Sequence, residues 1–129
     1  MILVDDSIVR GTTSTKIVEM VRSAGATEVH MRVAAPPTRH SCFYGVDTPE
    51  RDELLAGRFD EKGMADFIGV DSLAFISVDG LYRAMGYEAR DMKKPQFCDA
   101  CFTGDYPTRL TDQDSSDLTS QLSLLDDGR

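Results

Sequence analysis

The chain begins with a short apolar run that ends in an acidic pair and passes into a hydroxyl-rich turn. Residues 2–4 are Ile, Leu and Val, and Asp5 and Asp6 follow them directly. A continuous apolar run of this kind predicts a buried strand of a parallel sheet, because helices cover both faces of such a sheet. The polar stretch 5–13 then leads into a helix, so the chain opens with a strand, a tight turn and a helix.

The pattern that follows completes a strand–helix–strand unit. Ile17, Val21 and Ala24 fall on one helix face, and Gly25 is placed to end the helix. Apolar residues then alternate through 28–34, which predicts a second strand. Two strands joined by one helix within so short a stretch indicate an α/β fold with a mostly parallel sheet.

Weaker elements are predicted downstream, between irregular stretches at 38–47 and 93–107. They are a helix from Thr48, with its hydroxyl as N-cap, to Gly57, a helix over 61–68, a strand over 73–76 and a helix from Ser77 to about Met85. Two clear strands and one weak strand are too few for an open doubly wound sheet. We therefore expect the chain to be part of a domain.

Charge and hydropathy exclude several classes of protein. The net charge of −8 and the pI of about 4.6 argue against a general nucleic-acid binder, which would carry a basic face. No apolar run approaches the ~18 residues of a membrane-spanning helix, and the first residues lack the basic start of a secretory signal. We expect a cytoplasmic protein with neither a nucleic-acid partner nor a membrane partner.

Half of the net charge lies at the C-terminal end. Residues 111–129 hold five Asp and one Arg, and Ser, Thr and Gln fill most of the remainder. A segment of this composition buries little apolar surface, so we expect a disordered tail. Leu118, Leu122 and Leu125 share one helix face, which leaves a short docked helix as the alternative.

The turn after the first strand has the residue types of a phosphate site. A helix N-terminus offers free backbone N–H groups and the positive end of the helix dipole. Thr12, Thr13 and Ser14 add hydroxyl donors, and the acidic pair supplies acceptors that suit ribose hydroxyls or a hydrated Mg²⁺. The chain lacks the G-x-x-x-x-G-K-[ST] sequence of nucleoside triphosphatases, so the pattern favours a phosphorylated sugar. The alternative is an ordinary strand end at which Asp6 or Ser7 caps the helix.

The N-terminal motif resembles that of a known enzyme family. Residues 2–14, Ile-Leu-Val-Asp-Asp-Ser-Ile-Val-Arg-Gly-Thr-Thr-Ser, resemble the phosphoribosyl pyrophosphate (PRPP) motif of type I phosphoribosyltransferases, in the form found in the amidophosphoribosyltransferase family. Further segments resemble the same family in the same order: Pro36-Pro37, 42–47, 77–81 and 98–107. The resemblance spans about residues 2–110, and the tail carries none of it. It implies part of the Rossmann-like type I phosphoribosyltransferase fold.

The resemblance also implies a glycosyltransferase of de novo purine biosynthesis. Enzymes of this family transfer ammonia, released from glutamine, to C1 of PRPP and form 5-phosphoribosylamine, glutamate and pyrophosphate. Carried over residue by residue, Asp5 and Asp6 would bind the ribose hydroxyls and Mg²⁺. The 5′-phosphate would be held by Ser7, Arg10, Gly11, Thr12, Thr13 and Ser14, with an exposed position as the alternative for Arg10. No residue of this chain is expected to be a catalytic nucleophile.

The three cysteines form the second candidate site. The Cys98-x-x-Cys101 spacing can place two sulfurs on one metal, and Cys42 could be a third ligand. Spacing alone slightly favours zinc, with His40 as the fourth ligand, over an iron–sulfur cluster, and three plain thiols are the remaining possibility. The resemblance implies instead a structural 4Fe-4S cluster, whose fourth cysteine would lie upstream of Met1.

These patterns divide the chain into three parts. Residues 1–92 are expected to be the C-terminal part of a phosphoribosyltransferase domain, 93–110 a cysteine-containing segment packed on it, and 111–129 the tail. The resemblance implies a glutaminase portion outside this chain and a homo-oligomer. We expect the isolated chain to be inactive, and poorly stable because the strand at 2–4 would lack its neighbours on one side. The alternative is a non-catalytic module that senses a phosphoribosyl ligand or binds metal on the same fold.

Overall fold

A three-stranded parallel sheet organises the part of the protein that the structure describes. The computed structural model describes residues 1–108, so the predicted tail at 111–129 lies outside the described residues. Strands β1 (Ile2–Asp5), β2 (His30–Val33) and β3 (Ser72–Phe75) pair in the order β1-β2-β3. Both pairings are parallel, as the strand–helix–strand pattern predicted, and the α/β class is confirmed.

Within the described part of the chain, five helices accompany the sheet. They are α1 (Thr12–Ser23), α2 (Leu55–Arg58), α3 (Glu61–Ile68), α4 (Val78–Ala84) and α5 (Ala100–Thr103). Helix α3 has the predicted bounds, and the Ser77 side chain caps α4 as predicted by accepting from the Gly80 N–H at 3.0 Å. Helix α5 lies inside a stretch predicted to be irregular. Within residues 1–108, no helix has both the length and the apolar character needed to cross a membrane.

The predicted helix from Thr48 to Gly57 is wrong over most of its length. Only α2, its last turn, is helical. The Thr48 hydroxyl does not cap a helix, because its oxygen accepts a hydrogen bond from the backbone N–H of Cys42 at 2.6 Å. The hydroxyl thus closes the loop that carries Cys42, a contact that local propensity does not register.

The hydrophobic core lies on one face of the sheet. Helices α1 and α3 contact each other, and they supply buried residues that pack against inward-facing strand residues. The central members are Val18, Met31, Val33, Met64 and Ile68. On β1 only Leu3 points toward this cluster.

The prediction that β1 is buried on both faces is therefore wrong for the described residues. Ile2 and Val4 are 69% and 77% exposed. They alternate with Leu3 and project from the opposite face of the sheet, and β1 is an edge strand. An apolar run identifies a strand, but the neighbours of that strand decide which of its side chains are covered.

Candidate phosphate-binding site

The turn between β1 and α1 is built from backbone hydrogen bonds to the acidic pair. Asp5 Oδ1 accepts from the Asp6 N–H at 3.0 Å, and Asp6 Oδ1 accepts from the Ser7 N–H at 2.7 Å. Each carboxylate is thus oriented by the next residue in the chain. Neither Asp6 nor Ser7 caps α1, because the N-cap is Gly11 and no side chain accepts a hydrogen bond there. The alternative of an ordinary capped strand end is wrong.

Gly11 starts helix α1 with an unusual backbone conformation. Its φ is 79°, in the left-handed region that glycine adopts without strain. Its carbonyl accepts from both the N–H and the hydroxyl of Thr15, each at 2.9 Å, and this pair of bonds begins the helical ladder. The N–H groups of Thr12, Thr13 and Ser14 precede the first intrahelical bond and point out of the helix end.

The electrostatics at this helix end favour an anion. No acidic residue occupies the first turn of α1, so the positive end of the helix dipole is not neutralised there. Residues 5–14 together line an open cleft of about 310 Å³. Every residue predicted to contact PRPP lies in this cleft, with Thr12 and Thr13 exposed and Ser14 buried beneath them.

The side of the turn that faces away from the cleft packs against the protein. Ile8 is 4% exposed and belongs to the hydrophobic core. The backbone N–H of Leu55 donates to the Val9 carbonyl at 2.8 Å, and Arg10 Nη2 lies 3.7 Å from Glu53 Oε2. Residues 53–55 therefore contact the turn on the side opposite the cleft. The sequence offers no signal for this support, because the two segments are far apart along the chain.

The three thiols lie in one region of the molecule. The cysteines are free, with Cys98 exposed and the other two half-buried. The pKa of Cys101 is raised, first by burial, with the neighbouring thiols of Cys42 and Cys98 acting in the same direction. Within residues 1–108, no three His, Cys, Asp or Glu side chains are close enough together to hold a metal ion. The described residues thus supply thiol donors near one another without a formed metal site.

His40, the candidate fourth zinc ligand, sits in a cationic setting. Its pKa is lowered by burial first, and then by the charges of Arg51 and Arg39. Its ring faces Gly104, where an added Cβ would lie 2.9 Å from Nε2. His40 and Arg39 also donate their backbone N–H groups to the Cys101 carbonyl, at 3.1 and 3.0 Å. These bonds hold the loop before Cys42 against the segment that carries Cys101.

A buried ion pair anchors the segment between the two C-terminal cysteines. Asp99 accepts hydrogen bonds from Arg90, including Nη2 to Oδ1 at 3.0 Å, and from the Tyr82 hydroxyl at 2.9 Å. The side chains of Arg90 and Asp99 are only 6% and 4% exposed. Arg90 Nη2 also contacts Asp105 Oδ2 at 2.7 Å. The sequence does not predict this network, because Arg90 lies in no motif and the Cys98-x-x-Cys101 motif does not indicate a partner for Asp99.

Comparison with known proteins places this geometry in a family. No protein-family model matches the chain. Amidophosphoribosyltransferase of Rhizobium etli is 58% identical over 126 residues, which cover 97% of this chain and 25% of that protein. The chain belongs to the amidophosphoribosyltransferase family. The Bacillus subtilis amidophosphoribosyltransferase is 50% identical over 110 residues, which cover 85% of this chain and 23% of that protein.

The family relation extends to plants and to solved structures. Chloroplastic amidophosphoribosyltransferase 1 of Arabidopsis thaliana is 54% identical over 112 residues, covering 87% of this chain and 19% of that protein. The Bacillus subtilis glutamine PRPP amidotransferase solved with ADP and GMP superposes with a TM-score of 0.77 at 50% identity. That superposition covers 88% of this chain and 24% of the solved chain.

The extent of these matches bears on two expectations: that the chain is part of a domain, and that the resemblance ends near residue 110. The chain spans about a quarter or less of the length of the amidophosphoribosyltransferases it matches. The match to the Rhizobium etli amidophosphoribosyltransferase covers 97% of this chain, so it reaches into 111–129. The expectation that the resemblance stops near residue 110 is wrong for that relative. The suspected family itself is confirmed.

Proposed function

We propose that this chain carries the PRPP-binding part of an amidophosphoribosyltransferase. The reaction transfers glutamine-derived ammonia to C1 of PRPP and gives 5-phosphoribosylamine, glutamate and pyrophosphate, the first step of de novo purine biosynthesis. One observation carries the proposal: the free N–H groups at the start of α1 and an acidic pair line one cleft, in a chain whose relatives bear that enzyme name.

The 5′-phosphate would occupy the N-terminal end of α1. The backbone N–H groups of Thr12, Thr13 and Ser14 point out of the helix and have the donor character that a phosphate dianion needs. The exposed Thr12 and Thr13 hydroxyls can add hydrogen bonds. Arg10 lies beside this position, but its guanidinium is oriented toward Glu53, which precedes α2, and not toward the phosphate position.

The ribose would lie against the acidic pair. Among the described residues, Oδ2 of Asp5 and Oδ2 of Asp6 accept no hydrogen bond, whereas each Oδ1 is held by a backbone N–H. Two oriented carboxylates with free oxygens can accept bonds from two neighbouring ribose hydroxyls. Displacement of pyrophosphate builds positive charge on the sugar ring, and carboxylates beside the ring stabilise that charge.

Mg²⁺ would be held by the same carboxylates. Carboxylate oxygens are ligands that Mg²⁺ prefers, and it commonly binds through one or two of them together with substrate phosphates. When bound, the ion would neutralise negative charge on the leaving pyrophosphate. We assign no residue of this chain as a nucleophile, because the incoming ammonia attacks C1 directly.

The three cysteines have the side chain that a thiolate-ligated centre needs, but a 4Fe-4S cluster requires one cysteine more than this chain contains. A 4Fe-4S cluster takes four cysteine ligands, and this chain contains Cys42, Cys98 and Cys101 only. We propose that these three residues ligate one metal centre, with its fourth ligand from outside the chain. Such a centre would tie the loop around Cys42 to the segment 98–101 and act structurally, since ligation from distant points constrains the chain.

Calorimetric titration of the complete enzyme that contains this chain, with PRPP and MgCl₂, tests the ribose-binding role. We expect Asp5→Asn and Asp6→Asn each to raise the Kd for PRPP about tenfold, which corresponds to ~1.4 kcal/mol of binding free energy. The midpoint of thermal unfolding should stay within a few degrees of wild type. Asp66→Asn is the matched control, because Asp66 is an exposed aspartate on α3 outside the cleft.

Two outcomes would count against the proposal. If both turn variants bind PRPP as Asp66→Asn does, the acidic pair does not contact the sugar. If the chain binds inorganic phosphate and PRPP equally well, the site recognises phosphate without the ribose. The alternative of a phosphoribosyl-sensing module would be supported instead if an otherwise complete enzyme kept its activity when both carboxylates were replaced.

A further inference from the structure

We infer that Leu55 is a positioning residue for the phosphate-binding turn. It acts through the backbone of the turn and does not contact the ligand. The inference rests on the proposed function, and it adds a second segment of the chain to the PRPP site. Two independent contacts support it, one through the backbone of Leu55 and one through its side chain.

The backbone contact fixes the middle of the turn. The Leu55 N–H donates to the Val9 carbonyl at 2.8 Å, and Leu55 itself is fully buried at 0% exposure. The bond joins α2 to the turn across the core. Since Leu55 is fully buried, its N–H would be left without a partner if the Val9 carbonyl turned away, so this bond favours the turn conformation in which that carbonyl faces α2.

The side-chain contact fixes the residue from which α1 starts. A Cβ added at Gly11 would lie 2.8 Å from Leu55 Cδ2 and 3.3 Å from Phe67 Cε1. The Gly11 backbone therefore rests directly on the Leu55 side chain, with no space between them. Gly11 is also the residue whose carbonyl accepts the first helical bond from Thr15.

The position of the phosphate-binding N–H groups follows from these contacts. The N–H groups of Thr12, Thr13 and Ser14 come directly after Gly11, so a shift of Gly11 moves all three. A void beneath Gly11 would let the turn relax toward α2 and take the donors away from the phosphate. Since a misplacement of ~1 Å can lower a catalysed rate about a hundredfold, even partial relaxation of these donors should give a measurable loss of phosphate binding.

The test compares Leu55→Ala with Leu54→Ala. Leu54 precedes Leu55 and is equally buried at 0% exposure, but it does not belong to the core cluster that contains Ile8 and Leu55. Both substitutions remove the same atoms from a buried site. Titration of the complete enzyme that contains this chain with PRPP should show Kd raised about tenfold or more for Leu55→Ala relative to Leu54→Ala.

Two further measurements separate positioning from general destabilisation. Leu55→Met keeps the volume of the side chain and should restore PRPP binding to within about twofold of wild type. In ¹⁵N–¹H correlation spectra, the Gly11 amide should shift on titration with inorganic phosphate in wild type and in Leu54→Ala, and much less in Leu55→Ala. If Leu55→Ala does not fold, Leu55→Val and Leu54→Val provide the same comparison with a smaller loss of volume.

Each outcome decides a specific point. Equal PRPP affinity in the Leu55 and Leu54 variants would overturn the inference, provided that Asp5→Asn weakens binding in the same assay. If Asp5→Asn and Leu55→Ala both leave PRPP binding unchanged, the turn is not the binding site, and the proposed function fails together with the inference. Weak binding by Leu55→Ala that Leu55→Met does not restore would indicate that the packing as a whole, and not support of Gly11, controls the site.

Discussion

Replacing Arg90 with methionine should destabilise the protein far more than loss of a surface ion pair would. Arg90 and Asp99 are both almost fully buried, and Asp99 would keep only its hydrogen bonds from the Tyr82 and Thr103 hydroxyls. Removing one partner of a buried ion pair leaves an uncompensated charge, which costs about 3–5 kcal/mol. The other partner, Asp105, is 57% exposed and can be solvated by water, so it adds little to this cost.

The magnitude can be measured by urea denaturation at neutral pH. Arg90→Met should lower the free energy of unfolding by about 3–5 kcal/mol, a large part of the ~5–15 kcal/mol typical of a domain. The double variant Arg90→Met/Asp99→Asn should recover at least half of that loss, because it removes the isolated charge. Arg22→Met is the control: Arg22 Nη2 lies 2.7 Å from Asp71 Oδ2, but the two side chains are 36% and 41% exposed.

Two results would refute this reasoning. A loss below about 1 kcal/mol for Arg90→Met, the range of surface ion pairs, would mean that water reaches Asp99 and solvates it. A double variant no more stable than Arg90→Met would mean that packing of the arginine side chain, and not its charge, stabilises the segment. In either case the anchoring of residues 98–101 would need another explanation.

Three further predictions concern the turn, the loop at the end of α3 and the cysteines. Gly11→Ala should lower the free energy of unfolding by at least ~1–2 kcal/mol, because a left-handed φ and the contact with Leu55 both oppose a Cβ; an unchanged midpoint in urea would contradict this. The pKa of Asp71 is held below its ordinary 3.8, first by the hydrogen bond from the Val29 N–H and then by that from Arg22. The ionised Asp71 carboxylate therefore stabilises the fold fully above pH 3.8, and this stabilisation is lost as the pH falls through the lowered pKa. Asp71→Asn should therefore flatten the acid limb of a plot of stability against pH, and an unchanged limb would refute the assignment. If the cysteines hold a metal centre, anaerobically purified protein should contain iron and sulfide that Cys42→Ser removes, whereas zinc without sulfide would favour the Cys₃His site.

Several features could be predicted from the sequence because they depend on neighbouring residues. The apolar run 2–4, the acidic pair and the polar stretch that follows predict a strand, a turn and a helix in succession, and the structure confirms that order. Helix α3 and the Ser77 cap of α4 were likewise predictable, since a capping side chain bonds to an N–H three residues away. Local hydrogen bonds and periodicity determine these elements, and the chain encodes them directly.

Other features depend on which distant segments meet. Thr48 looks like a helix N-cap, but its hydroxyl is engaged by the Cys42 N–H. The support of the turn by Leu55 and the pairing of Arg90 with Asp99 join residues with no shared motif, and no periodicity marks them. Side-chain burial and long-range hydrogen bonds are settled when helices and strands pack, because the free energy of each contact depends on neighbours that the local sequence does not specify. The sequence by itself thus determined the strand, the turn and the residues lining the cleft, whereas only the tertiary structure decided what holds that turn in place.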